Sequence, residues 1–292
     1  METVTVSGLT GYSITDHYRK AIRAIDRIGE LEEGSSITID LSNNNWFTPV
    51  FLTPLSVKLN QLRNRGTEVS VNLPRHTGIQ IYMDQIGFPF GANNPRQQYK
   101  RHLPLCRLNT DDDDDAIDVI GQELRRIIKR HFGGLDAGQT QGINLPISEI
   151  IDNVDQHSEC NCGAVLVQQY EDRGCLDICI VDDGVTIPGN FEKHGKEFDS
   201  DYDAIRLAAT GEVSTRGNEG HRARGYGIRS MTKLITDGLN GKVLISSRDA
   251  THFHAAGQSP RQVLHGRSWA GTLFLGRMDL PGEDFRVNDY VY

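Results

Sequence analysis

One short amphipathic segment, residues 147–157 (ISEIIDNVDQH), constrains the fold of this chain more than any other. Glu149, Asn153 and His157 recur every fourth residue, so they lie on one face of an α-helix. Isoleucine and valine occupy the opposite face and can pack against a sheet. Because a carboxamide oxygen can bind Mg²⁺ and a carboxylate can deprotonate a water, the helix predicts one wall of a polar pocket. Taken alone, such a row is more typical of a solvated helix face.

A second polar segment follows a predicted β-hairpin. Residues 163–170 and 175–181 have strand composition, and the second strand runs into Asp182-Asp183-Gly184. An acidic residue followed by glycine at a strand end usually marks only a turn. It can also bury a carboxylate that accepts a hydrogen bond from the amino group of a base.

The third segment, residues 214–231 (STRGNEGHRARGYGIRSM), is rich in glycine and basic residues. Glycines let backbone N–H groups approach an anion, and a helix predicted from about Ile228 adds its dipole. No Gly-Lys-Ser/Thr ends the loop, which excludes a P-loop. Residues 201–209 before it have the pattern of a helix rather than a strand, which disfavours a Rossmann site.

In this order the three segments resemble the motifs of the GHKL ATPase superfamily, named for gyrase, Hsp-type chaperones, histidine kinases and MutL. The resemblance covers residues 116–282 and implies an α/β sandwich in which helices cover one face of a mixed sheet. It also implies that ATP and Mg²⁺ bind, with Asn153 as a metal ligand. Glu149 takes the position of the residue that polarises water in ATPases or acts as the base in anti-sigma-type kinases. His157 matches a histidine found in such kinases, although a structural role is more common.

The same resemblance implies a set of nucleotide-binding residues. Asp182 stands at the adenine-binding position, and Thr272 lies in the late strand that supports this aspartate. Thr186 replaces the usual second glycine of the aspartate motif. The implied nucleotide-binding residues are Asn153, Asp182, Gly184, Thr186, Arg216, His221, Arg222, Arg224, Gly225, Tyr226, Gly227 and Thr272.

Residues 1–95 predict a small α/β domain with alternating strands and helices. Within it, residues 36–88 (from SITIDLSNNNWF to IYMDQIGF) resemble a STAS domain, the fold of anti-sigma-factor antagonists. In that family a phosphorylatable serine follows the Asp-containing strand. Pro49 stands at this position here, and the neighbouring Thr48 is either a substitute acceptor or a helix cap. We therefore interpret the domain as a protein-interaction module without the phosphorylation switch; a plain α/β cap domain fits as well.

Two segments flank the predicted GHKL domain. Residues 96–115 contain five consecutive aspartates, which predict a solvated linker or surface segment more readily than a cation site. Residues 283–292 predict a polar tail that ends in aromatics and docks on a partner or on the domain itself. Residues 253–267 predict a hairpin insertion.

Composition limits the class of protein. With 37% apolar residues and a net charge of −8, the sequence is that of a globular chain and does not indicate nucleic-acid binding. We find no apolar run of membrane-spanning length and no signal pattern, so we expect a cytoplasmic protein. The spacing of Cys160, Cys162, Cys175 and Cys179 is atypical of zinc sites, and such cysteines more often pack as small apolar residues.

Three functions remain open from the sequence. The first, which we prefer, is an ATP-hydrolysing regulatory switch in a bacterial signalling or defence system, read by a protein partner or by a second copy of the chain. The second is a serine/threonine kinase of the anti-sigma type. The third is a nonenzymatic interaction module that keeps ATP as a structural ligand. A complete sensor histidine kinase is disfavoured, because we find no membrane span and no dimerising helical hairpin.

Overall fold

The structure is a computed structural model that describes residues 2–30, 36–91, 101–108, 115–133, 135–157, 160–212, 227–266, 269–281 and 285–291. Within these ranges the side chains of residues 115, 116, 152, 153, 155–157 and 291 are outside the description. The chain is α/β, as predicted, and the described residues form two sheets.

The N-terminal unit is a three-stranded parallel sheet in the order β1-β2-β3, with helices between the strands. The alternation predicted from the sequence is confirmed here. Apolar residues at helical spacing on α1 (Tyr18, Ile22 and Ile28) are all buried. The elements are β1 Glu2–Thr5, α1 Ile14–Gly29, β2 Ile37–Asp40, α2 Pro49–Asn64, β3 Val69–Asn72 and α3 Thr77–Gln85.

The rest of the chain builds a seven-stranded sheet in the order β4-β5-β6-β10-β7-β8-β9. Every neighbouring pair in it is antiparallel, so the predicted mixed sheet was wrong for the described strands. Short turns join β5 to β6 and β7 to β8, and a tight turn forces antiparallel pairing. The strands are β4 His102–Arg107, β5 Gly163–Tyr170, β6 Cys175–Asp182, β7 Lys242–Ser247, β8 Ala250–Ala255, β9 Arg261–Gln262 and β10 Thr272–Asp279.

Helices pack on one face of this sheet. Helix α5 begins earlier than predicted, at Ala137, and continues through Pro146. Its isoleucines at 147, 150 and 151 are buried, which confirms the apolar face predicted for residues 147–157. The helices are α4 Asp115–Phe132, α5 Ala137–His157, α6 Ile187–Lys193, α7 Asp201–Thr210, α8 Gly227–Lys233 and α9 Asn288–Val291, with a π-helical turn over Leu234–Gly238 after α8.

One segment differs from its predicted role. Part of the predicted surface segment 96–115 is instead β4, whose residues from His102 to Cys106 are buried while it pairs with β5. Composition misled this prediction because the flanking proline, asparagine and aspartate residues obscured a short apolar run.

The predicted hairpin at 253–267 is present, because β8 pairs antiparallel with β9 and Phe253 lies opposite Arg261. Its first strand, β8, also pairs along its whole length with β7 and so belongs to the large sheet.

The C-terminal segment packs on the helical layer. Phe285 and Val287 are buried, and the Phe285 ring stacks on Tyr290 with centroids 5.9 Å apart. Lys233 Nζ donates to the Asp289 carbonyl at 2.9 Å. The predicted tail therefore docks on its own chain, against α8 and the π-helical turn.

The N-terminal unit covers the second face of the large sheet. Alternate side chains of the central strands point to opposite faces. Val165, Ile178 and Phe274 belong to the core beneath the helices, and Leu166, Cys179 and Leu275 share a core with the N-terminal unit. Helix α2 contacts β5, β6 and β10. The described part of the N-terminal unit and this face of the large sheet therefore share one core.

A buried ion pair connects this interface. Arg277 Nε and Nη2 donate to the Asp177 carboxylate at 2.6 and 2.7 Å, while Nη1 donates to the Tyr12 carbonyl at 2.8 Å. Burial raises the pKa of Asp177, whereas the two bonds from Arg277 lower it. The guanidinium keeps its proton, and Asp177 on the neighbouring strand matches its charge. The bond to the Tyr12 carbonyl is the one that crosses to the N-terminal unit.

Thr48 occupies the N-cap position of α2, which one of the two interpretations of the sequence expected, but its side chain makes no capping hydrogen bond and is fully buried. Its hydroxyl lies 2.9 Å from His17 Nδ1, and His17 Nε2 lies 3.3 Å from the Thr10 carbonyl. Burial lowers the pKa of His17, so the ring is neutral. Its Nε2–H then donates to Thr10, and Nδ1 accepts from the Thr48 hydroxyl.

We expect no phosphorylation of Thr48 in the folded protein, because an acceptor hydroxyl must reach the phosphate donor. Thr48→Val should retain the fold and lower the free energy of unfolding by about 1–3 kcal/mol, since it leaves His17 Nδ1 unpaired. Phosphopeptide mapping after incubation with ATP, with urea unfolding of the variant, checks both expectations. Modification of Thr48 at native conditions would contradict the first.

Candidate functional site

Asp182 is the last residue of β6, and its side chain is only 3% exposed. The Gly184 N–H donates to Oδ1 at 2.9 Å, and the backbone of Thr272 on the neighbouring strand also hydrogen-bonds the carboxyl group. Burial raises the pKa of this carboxyl to about 7, with a smaller contribution from Asp183. A buried acid that titrates near neutrality at a strand end is typical of a functional site.

The backbone around Asp182 is held from the opposite strand. Trp269 Nε1–H donates to the Asp182 carbonyl, and a Cβ added at Gly271 would overlap that same oxygen. Ser247 Oγ donates to the Gly271 carbonyl at 2.7 Å and accepts from the Ile187 N–H at 2.9 Å. No sequence pattern predicted the roles of Trp269 and Ser247. The one sequence feature near them was the glycine at position 271, since a glycine beside a strand can mark close approach of another backbone.

The neighbouring Asp183 has a structural role. Its Oδ1 accepts from the Asn161 and Cys162 N–H groups, both at 2.8 Å, and its Oδ2 accepts from Gln61 Nε2 at 2.7 Å. Gln61 lies on α2. Asp183 therefore ties the N-terminal unit to the strand end that carries Asp182.

Thr186 caps a helix. It is the N-cap residue of α6, and its hydroxyl accepts from the Gly189 N–H at 3.0 Å. A second glycine at this position would lack the hydroxyl that makes this cap. This geometry gives Thr186 a structural role. It does not test the predicted role of Thr186 in nucleotide binding. Gly184 forms the turn beside Asp182, as the sequence indicates.

Glu149 and Gly227 are brought together by the packing of α5 on α8. A Cβ added at Gly227 would lie 3.1–3.2 Å from three side-chain carbons of Glu149. Glycine at the start of α8 therefore allows the helix N-terminus to approach this half-buried carboxylate. Two residues that are far apart in sequence become neighbours at one corner of the helical layer.

Several predicted site residues lie outside the description. They are Arg216, His221, Arg222, Arg224, Gly225 and Tyr226, together with the side chains of Asn153 and His157. The structure consequently brings together two groups of the predicted set: Asp182, Gly184 and Thr272 at the end of β6, and Glu149 with Gly227 between α5 and α8.

Cys106, Cys162, Cys175 and Cys179 pack as small buried side chains, and Cys160 is half-buried. Burial raises the pKa of Cys162 and of Cys175 to about 11, so both thiols are protonated. No group of three or more His, Cys, Asp or Glu residues in the described part of the chain is arranged to hold a metal ion.

Among the described helices, none combines the length and apolar character that crossing a bilayer requires. No protein-family model matches this sequence, and no curated protein matches it.

Proposed function

We propose that this chain is a GHKL-type, Mg-ATP-binding protein that hydrolyses ATP as part of a regulatory switch. The observation that carries the proposal is the buried carboxyl of Asp182, fixed at the end of β6 by Gly184 and Thr272. The proximity of Glu149 to the start of α8 supports it. Both features fall on residues to which the resemblance assigns nucleotide roles.

Asp182 suits recognition of a base amino group. One carboxylate oxygen accepts from Gly184, and a carboxylate can accept further hydrogen bonds from an amino donor. In a buried position a ligand without that donor leaves an acceptor unpaired, which gives strong discrimination. This acceptor favours adenine, which presents an amino group, over a base that presents a carbonyl at the same place.

Glu149 suits the role of general base or water-orienting group. It is half-buried and lies beside the N-terminus of α8, where backbone N–H groups favour an anion such as phosphate. An oxygen ligand from Asn153 on the same helix fits the preference of Mg²⁺, as the resemblance implies. Within this proposal Mg²⁺ supplies charge neutralisation at the phosphates, and Glu149 accepts the proton of the attacking water.

Glu149→Gln is expected to bind ATP normally and to release free phosphate at least about 100-fold more slowly, because the amide cannot accept a proton. The measurement is release of labelled phosphate from γ-labelled ATP with Mg²⁺, beside calorimetry for binding and a sample with EDTA. Label on protein instead of free phosphate would favour the kinase. Tight binding with neither product would favour a nonenzymatic ATP-binding module, and no binding at all would reject the proposal.

Binding of the base should depend on pH. Because the pKa of Asp182 is raised to about 7, the acid is protonated below this pH and loses its acceptor charge. We expect affinity to fall about tenfold from pH 8 to pH 6. Adenosine is the appropriate ligand, since it has no titrating phosphate. The profile of Asp182→Asn should be flat, and an equally steep profile in that variant would assign the dependence to another group.

A further inference from the structure

A second concave site lies at the opposite end of the large sheet from Asp182. The cavity measures about 500 Å³ and opens between the N-terminal unit and the Tyr170 end of β5. Asp182 pairs with Gly163 at one end of the β5–β6 hairpin and Cys175 pairs with Tyr170 at the other. At about 3.3 Å per residue the two ends are roughly 23 Å apart, so one ligand of nucleotide size does not fill both sites.

Three aromatic rings form one wall of this cavity. The ring centroids of Tyr12 and Trp46 are 4.5 Å apart, those of Tyr12 and Tyr170 are 5.2 Å apart, and those of Trp46 and Tyr170 are 6.0 Å apart. Tyr12 and Trp46 come from the N-terminal unit, whereas Tyr170 ends β5. The wall therefore exists only when the two parts of the chain are packed together, and it offers flat π-surfaces for stacking.

The cavity residues also carry buried polar atoms that have no partner in the described part of the chain. These atoms are Trp46 Nε1, Tyr82 Oη, Gln168 Oε1, Gln169 Oε1 and Tyr170 Oη. Tyr170 is only 7% exposed. A buried polar atom without a partner costs about 1–3 kcal/mol, so five around one cavity require an explanation. A ligand that supplies both acceptors and donors would satisfy them.

The charges at the mouth of the cavity are balanced. Arg101 is paired with Glu171 at 2.7 Å, and both side chains are largely exposed. The adjacent Asp172 is offset by Arg173, whose guanidinium lies 3.4 Å from the centroid of the Tyr12 ring. The site therefore has no net charge that would select an anion or a cation.

From the aromatic wall, the unpartnered polar atoms and the balanced mouth, we infer that this cavity binds an uncharged, planar heteroaromatic molecule of nucleobase or nucleoside size. The indole N–H of Trp46 requires an acceptor on the ligand, and the Gln168 and Gln169 carbonyls require donors. The volume falls in the range of small-molecule sites. This site is independent of the proposed ATP site and senses a second ligand at the contact between the N-terminal unit and the sheet.

The test uses calorimetry on the full chain with guanosine, uridine and indole-3-carboxamide as probes. At least one should bind the wild-type protein with a Kd below about 1 mM, the range of small fragments. Trp46→Phe keeps a ring but removes the donor, and Gln169→Met keeps the length but removes the acceptor. Each should weaken binding roughly three- to tenfold. Gln258→Met, an exposed glutamine outside the cavity, and Asp182→Asn should leave it unchanged.

Three results would overturn the inference. They are no binding of any probe to the wild-type protein, unchanged binding in Trp46→Phe and Gln169→Met, and loss of the binding of all the probes in Asp182→Asn, as in a protein with one shared site. Loss of probe binding in Asp182→Asn would assign the probe to the other site. Because Asp182→Asn tests ATP binding separately, failure of one proposal leaves the other intact.

Discussion

Asp182→Asn is expected to weaken ATP binding by about 100-fold. The carboxylate presents acceptors at both oxygens, one of which receives the Gly184 N–H at 2.9 Å. Asparagine replaces one of them with an NH₂ group, which then faces a donor on either the backbone or the base. Calorimetry with ATP and Mg²⁺ measures the loss.

The fold should survive this substitution. The folded-state pKa of Asp182, about 7, lies above its usual value of 3.8, so the ionised carboxyl destabilises the folded protein progressively as the pH rises from about 4 to 7. At pH 8 the neutral asparagine removes that cost, and we expect an unfolding temperature equal to or above that of the wild-type protein. Unchanged ATP affinity in a folded variant would contradict the assignment of Asp182 to the base.

Arg277→Met is expected to lower the free energy of unfolding by about 3–5 kcal/mol, because it leaves Asp177 buried without its partner. Asp177 is fully buried and Arg277 is 7% exposed, so water cannot replace the lost bonds. The Tyr12 carbonyl loses a donor as well. Guanidinium unfolding monitored by circular dichroism measures the change.

A second bidentate pair provides the matched control. Arg248 donates to Glu192 through two bonds of 2.7 Å, but the two side chains are 34% and 54% exposed. Arg248→Met should shift the unfolding midpoint little, since solvent screens an exposed pair. If Arg277→Met lowered the free energy of unfolding no more than Arg248→Met, the buried pair would not stabilise the contact between the N-terminal unit and the sheet.

The N-terminal unit contacts both ends of the large sheet. It reaches the Asp182 end through Gln61 and Asp183 and the cavity end through Tyr12 and Trp46.

Local periodicity determined most of the secondary structure. The spacing of three to four residues located α1 and the apolar face of α5, and alternating or continuous apolar runs located β5 and β6. These patterns are readable because each reflects contacts within one element against one surface. For Asp182 the sequence left a plain turn and a buried carboxylate both open, and the structure shows the buried carboxylate.

Only the tertiary structure determined which elements pack against each other. The antiparallel order of the large sheet, the burial of β4, the helix cap at Thr186 and the approach of Gly227 to Glu149 depend on contacts between residues distant in sequence. The Asp177–Arg277 pair and the aromatic cavity depend on the N-terminal unit covering the second face of the sheet. A sequence pattern shows that a face is apolar, but the surface that covers it is set by packing of the whole chain.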